Sequence, residues 1–290
     1  MGLRQRRTVS LRGGGVVVLL LGAVAAREAV SQTRAGVEQE RRDFAVWLRS
    51  APLSPRRAVG VFPLGAGLSL GPGNADIPLS GVDAGRLEER DGRLTLHRGS
   101  STTPVARGRA FALGKWQLLA GGPAGRTTVT VFGSELRTGK EPAWFGYDTR
   151  SLQTVDLVPA RAPGTLRVLA LDGIEVEASE AGTVSFSLAG KQRTLRVLRL
   201  PGASEEENEL MIYFRDASSG HGSYPAGRFV ALIPQSGARY LLDFNRARNP
   251  FCAYNTAYPC PAPWSGNALD AMVLAGERYD GGGLEKPPGN

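Results

Sequence analysis

At 290 residues, with 38 glycines and 19 prolines, the chain has room for one large β domain or two smaller ones, and its composition favours short strands joined by turns over long helices. The net charge is +8, but Arg4, Arg6, Arg7 and Arg12 supply half of it ahead of the first apolar run, leaving +4 for the rest. The remaining arginines are scattered among Asp and Glu with no basic stripe of interleaved aromatics, which argues against a phosphate-tracking surface and so against nucleic acid as a partner.

Residues 1–26 have the layout of a secretory signal: an Arg-rich start, an apolar run from Val16 to Ala26, and the small-residue pattern Ala23-Val24-Ala25. The run falls short of the roughly 20 residues of a spanning helix, so export with cleavage, to the outside or the cell envelope, is the expectation. An uncleaved membrane anchor from Leu11 to Ala26 is the alternative, and any membrane contact would run through this segment alone. Residues 27–52 are rich in Ala, Glu, Gln and Arg, with a partial apolar stripe at Val37, Phe44, Val46, Trp47 and Leu48 that predicts a helix ending near Ala51-Pro52.

From Ala58 the pattern becomes one of short strands, with turns at Gly71-Pro72-Gly73-Asn74 and Asp91-Gly92. A β-sandwich is predicted over residues 55–120 and a second β domain over residues 121–280, with strands near 126–132 and 165–177 and a hairpin through Ala189-Gly190-Lys191. Ser204 to Glu209 is acidic, but without the alternating ligands and central glycine of a calcium loop it reads as a solvated connection. Residues 281–290 read as a disordered tail. The fold class is therefore mainly β, a sandwich followed by a second β domain, with a short amino-terminal helix.

The densest information lies between Phe214 and Arg278, where Asp243-Phe244-Asn245-Arg246, Asn249-Pro250, Cys252 and Cys260 fall close together within an apolar strand pattern. Alternation along a strand from Tyr240 places Leu241, Asp243 and Asn245 on one face, with Tyr240, Leu242, Phe244 and Arg246 on the other. An exported chain meets an oxidising compartment, so the two cysteines are read as a loop-fixing disulfide, with two buried thiols as the alternative.

These residues resemble the bacterial family catalogued as domain of unknown function 1684. The resemblance rests on Phe214, Asp216, Ser219-Gly220, Tyr224, Gly227-Arg228-Phe229, Asp243 to Arg246, Asn249-Pro250, Cys252, Cys260-Pro261, Asn267 and Ala275-Gly276-Glu277. It extends more faintly over about 42–192, through Gly60-Val61-Phe62 and Asn74 to Leu79. The resemblance implies a first half similar to a forkhead-associated sandwich. In that fold the phosphothreonine site uses an Arg after Gly and a Ser-x-x-His motif, whereas here Pro72 follows Gly71 and no Ser-x-x-His occurs.

His97 and His221 are the only histidines, which limits proton-transfer and metal chemistry. The cysteine and histidine spacing matches no zinc pattern, so no metal and no cofactor are expected. The ligand-binding candidates are Asp216, Tyr224, Arg228, Asp243, Asn245, Arg246, Asn249 and Glu277, whose carboxylates, amides and guanidinium groups either hold a polar ligand or satisfy one another. Phe251, Tyr254, Tyr258 and Trp264 would form either a pocket wall or a small core. The leading reading is a non-catalytic binding or structural protein of the envelope, its partner a small polar ligand or an envelope protein. A hydrolase or other enzyme using Asp243, Asn245 and Arg246, with His221 as an optional further member, is the runner-up, and a phosphopeptide module is third.

Overall fold

The computed structural model describes residues 33–137, 139, 141–202, 208–236 and 239–281; the expected signal or anchor, nearly all of the expected tail and most of the 204–209 connection lie outside them. Helix α1 (Arg34–Ser50) opens on Thr33, whose Oγ1 accepts a hydrogen bond from the Gly36 amide, and closes on Ala51, ahead of Pro52. It buries Val37, Phe44 and Leu48. Val46, expected in the same stripe, is about half exposed because two residues rotate a helix by about 200° from Phe44.

Two sheets follow. One orders β1 (Ala58–Pro63), β9 (Thr128–Phe132), β8 (Trp116–Gly121) and β7 (Ala110–Leu113), all antiparallel. The other orders β3 (Ile77–Pro78), β2 (Leu68–Gly71), β4 (Gly85–Arg90), β5 (Arg93–Arg98) and β6 (Ser101–Val105). They face each other across a shared core of Leu70, Ile77, Leu87, Leu94 and Leu96 from one sheet and Leu113, Leu118, Ala120, Val129 and Val131 from the other, which makes them a sandwich. The expected boundary at residue 120 cuts through it. Thr128 to Phe132 completes the first sheet by pairing with β1 and β8, so the unit runs to Phe132; local alternation marks a strand but does not say which sheet it joins.

Seven further strands make the second unit: β11 (Leu152–Pro159), β12 (Thr165–Leu169), β13 (Glu175–Leu188), β14 (Lys191–Leu200), β15 (Glu209–Phe214), β16 (Arg228–Pro234) and β17 (Arg239–Asp243). In the order β11-β17-β16-β15-β14-β13 they are antiparallel neighbours, and Leu157 to Pro159 of β11 pair back with Gly182 to Val184 of β13, closing a six-stranded barrel. β12 lies outside it on the first half of β13. Alternate residues of these strands, among them Val155, Val184, Phe186, Val197, Ile212, Phe214, Val230 and Leu242, form the larger core. A short pair, β10 (Ala143–Trp144) with β18 (Glu277–Arg278), lies apart from the barrel ladder.

A third core joins the units. Phe44 and Leu48 of α1, Leu119 and Phe132 from the outer face of the sandwich, and Phe251, Cys252, Tyr254 and Tyr258 from the segment after the barrel pack together. Each such apolar side chain contributes roughly 1.5–3 kcal/mol relative to exposure. The first sheet is therefore covered on both faces.

Candidate functional site

The nominated polar residues divide among distinct networks around the end of β17 and the segment that follows. β17 stops at Asp243, and Phe244 to Arg246 form a single 3₁₀ turn that Asp243 caps: its Oδ1 accepts from the Asn245 amide at 3.0 Å and from Asn245 Nδ2 at 2.9 Å. The turn, not strand alternation, brings these side chains together. It swings Arg246, expected on the opposite face, back onto Asp243 Oδ2, while Phe244 enters the barrel core. Arg246 also holds Glu40 of α1 with two parallel bonds, Nε to Oε2 at 2.9 Å and Nη2 to Oε1 at 3.0 Å. Burial works against the Arg246 charge, yet Glu40 and Asp243 outweigh it and its pKa is raised. Asn245 clasps the backbone of Asp148, accepting from its N–H and donating to its carbonyl, both at 2.9 Å.

Asp216 and Arg228 form a second network with side chains 1 % and 0 % exposed and 2.7 Å apart. Arg228 Nη1 donates to the Ala275 carbonyl at 2.6 Å and the Glu277 carbonyl at 3.2 Å, and Nη2 donates to the Val273 carbonyl at 2.8 Å. Asp216 Oδ1 accepts from the Ser218 amide at 2.7 Å, the Ser218 hydroxyl and the Val273 amide. Burial lowers the Arg228 pKa, and Asp216 opposes that. The pair thus fastens the irregular segment 273–277 to the barrel, answering the Val273, Ala275 and Glu277 backbone groups.

Glu277 anchors a third network. Its carboxylate accepts from the Asn249 amide at 2.9 Å and from the Tyr254 hydroxyl. Burial pushes the carboxyl up to about 7, against the pull of Tyr254, the Asn249 amide, Arg248 and Arg228. The Arg248 guanidinium lies 3.8 Å over the Phe44 ring and 5.2 Å from that of Trp144. Unlike Arg228 and Arg246, it makes no side-chain hydrogen bond or ion pair to any described residue.

Cys252 and Cys260 sit at disulfide distance, Cα atoms 5.5 Å apart, and the Tyr224 hydroxyl lies 3.3 Å from each sulfur. The four loop aromatics do not share one wall. Phe251, Tyr254 and Tyr258 belong to the core that joins the units, and Trp264 to a separate cluster with Tyr213 and Phe229 on the outside of the barrel. His221 is exposed at a turn, and Ser218 bonds Asp216 and Ser223 with no imidazole between them. Among the described residues no three His, Cys, Asp or Glu side chains gather to hold a metal ion.

Sequence reasoning missed Glu40, Arg41, Asp148, Arg248 and Asn255. Glu40 lies 206 residues from its partner Arg246, and Asn255 200 from Pro55, whose carbonyl it binds, so no local pattern could join them. The Glu40-Arg41-Arg42 run was legible only as a charged helix face.

Residues 140–278 match the family model described as "Protein of unknown function (DUF1684)", a span that takes in the barrel and all the nominated polar residues and leaves the sandwich and α1 outside it. No curated protein matches the chain. Among solved structures, the solution NMR structure of an uncharacterized protein of Haloarcula marismortui is 31% identical over 50% of this chain and 79% of that one, with a TM-score of 0.43.

Proposed function

We propose, starting from the family match over residues 140–278, that this is a non-catalytic protein of the cell exterior or envelope whose distinctive polar block is a brace. The observation that carries this reading is the internal pairing of the nominated side chains, among whose buried polar atoms only Arg228 Nε and Asn249 Oδ1 lack a hydrogen-bond partner among the described residues. Asp216, Arg228, Asp243, Asn245, Asn249 and Glu277 are all buried, and each is hydrogen-bonded within the protein, mostly to backbone. A catalytic carboxylate needs a face open to substrate. Export is supported by the signal-like layout of residues 1–26 and by a cysteine pair at disulfide distance. The forkhead-associated-like reading is kept as architecture alone, supported by the two packed sheets; Pro72 and the missing Ser-x-x-His weigh against phosphopeptide recognition.

The test is Asp243→Asn in the mature protein. Replacing one acceptor oxygen by an N–H facing Arg246 or Asn245 is expected to cost about 2–4 kcal/mol of stability. An unchanged melting temperature together with loss of a measurable turnover would favour the enzyme. A second reading, binding of a small anionic ligand, is favoured by the unpaired Arg248 guanidinium. In a thermal-shift screen of carboxylates and phosphates, stabilisation that vanishes in Arg248→Met would support it.

A further inference from the structure

The cysteine pair is asymmetric. Cys252 is 3 % exposed, walled by the core that joins the units, whereas Cys260 is an exposed residue on the outer limb of the loop. An incoming thiolate must approach a disulfide from outside along its axis, which favours attack at the exposed Cys260 over the buried Cys252. The sulfur that would leave has a donor within reach: the Tyr224 hydroxyl lies 3.3 Å from Cys252 Sγ and equally far from Cys260 Sγ, so its one proton is free to turn to whichever sulfur becomes charged. With its phenol pushed up to about 12 by burial and by Tyr279, Tyr224 stays a donor across the physiological range.

The loop itself is tied down by bonds that do not depend on sulfur. Asn255 Nδ2 donates to the carbonyls of Pro55 at 2.8 Å and Ala58 at 2.7 Å, Tyr258 packs edge-on to Phe251 at 5.5 Å, and the Pro261 carbonyl accepts from the Tyr213 hydroxyl at 3.1 Å. Opening the disulfide therefore leaves both sulfurs close together, ready to close again.

We propose that Cys252–Cys260 is a thiol-exchange site, entered at Cys260 by an external thiol. The thiolate forms a new S–S bond to Cys260 Sγ as the Cys252–Cys260 bond breaks. Cys252 leaves with the electron pair as a thiolate, receives the Tyr224 hydrogen bond and is later protonated from water. A second thiolate then attacks the external sulfur of the mixed disulfide and releases Cys260, so two thiols are oxidised to one disulfide as the protein's disulfide is reduced to two thiols. The second thiolate belongs to the same molecule when the reductant is a dithiol.

The experiment treats the folded mature chain with glutathione, quenches with iodoacetamide and maps the adducts by peptide mass spectrometry. Glutathione is expected on Cys260 and carbamidomethyl on Cys252, with the reverse product at least tenfold rarer. Tyr224→Phe, compared at equal fraction folded, is expected to slow exchange about 3- to 10-fold, the rate equivalent of one ordinary net hydrogen bond. A parallel arm with thioredoxin separates a protein dithiol source, which would outpace dithiothreitol at equal thiol, from a small-thiol source, which would not. Equal adducts on both cysteines, exchange only in denaturant, or a Tyr224→Phe rate equal to that of the parent protein would overturn the proposal.

Discussion

Glu277 shows how a single carboxyl in this block links to the stability of the whole. Its folded-state pKa is about 7 against an ordinary 4.5, because burial disfavours the charged form. Between those values the folded protein keeps a proton that the unfolded chain has released, so the contribution is fully present below about pH 4.5 and is lost as pH rises through 7. The effect is on the order of 3 kcal/mol. Glu277→Gln mimics the protonated acid, so its stability relative to the parent protein is expected to rise from pH 5 to pH 8, read from paired melts; a difference that stays flat would show that the carboxyl titrates normally. That Glu277, Asp243 and Arg228 belong to one distinctive polar block was legible in the sequence. Their partners were not: each finds them through turns and distant backbone, and the 3₁₀ turn at Phe244 to Arg246 overrode the alternation that placed Arg246 on the other face.

Among the elements, barrel closure depends on β13, which pairs with β12 along its first half and turns onto β11 at Gly182. Gly182 has φ +144°, and a Cβ there would lie 2.0 Å from the Val158 carbonyl oxygen. Backbone cannot yield to that approach, so Gly182→Ala is expected to open the β11–β13 seam and lower stability by more than the roughly 1 kcal/mol of an ordinary glycine effect. Hydrogen exchange at Val158 and Val184 would report it, and unchanged protection there would contradict it. Many strands of both units were legible from period-two patterning and turn residues; β6 to β8 and β11 were not. Nor was the closure, since nothing local distinguishes an edge strand from one that pairs a second time. The same holds for β9, whose strand was expected but whose place in the first unit was fixed only by its pairing with β1 and β8.

The whole molecule reads as a sandwich and a barrel fastened by a third core and by side chains that cross between them. Glu40 and Arg41 hold α1 to the turn at Asn245, and Asn255 binds the first residues of the sandwich. With that core drawn from both units, calorimetry is expected to give one cooperative transition, and Asn255→Ala, which frees the Pro55 and Ala58 carbonyls, to broaden or split it. The central claim is that the polar block braces this assembly. The measurement that tests it most directly is the thermal midpoint of Arg228→Met. Leaving Asp216 buried and unpaired should cost about 3–5 kcal/mol, which for a chain of this size lowers the midpoint by on the order of 10 °C. A midpoint within about a degree of the parent protein would mean that Arg228 and Asp216 are held for a ligand, and would contradict the brace.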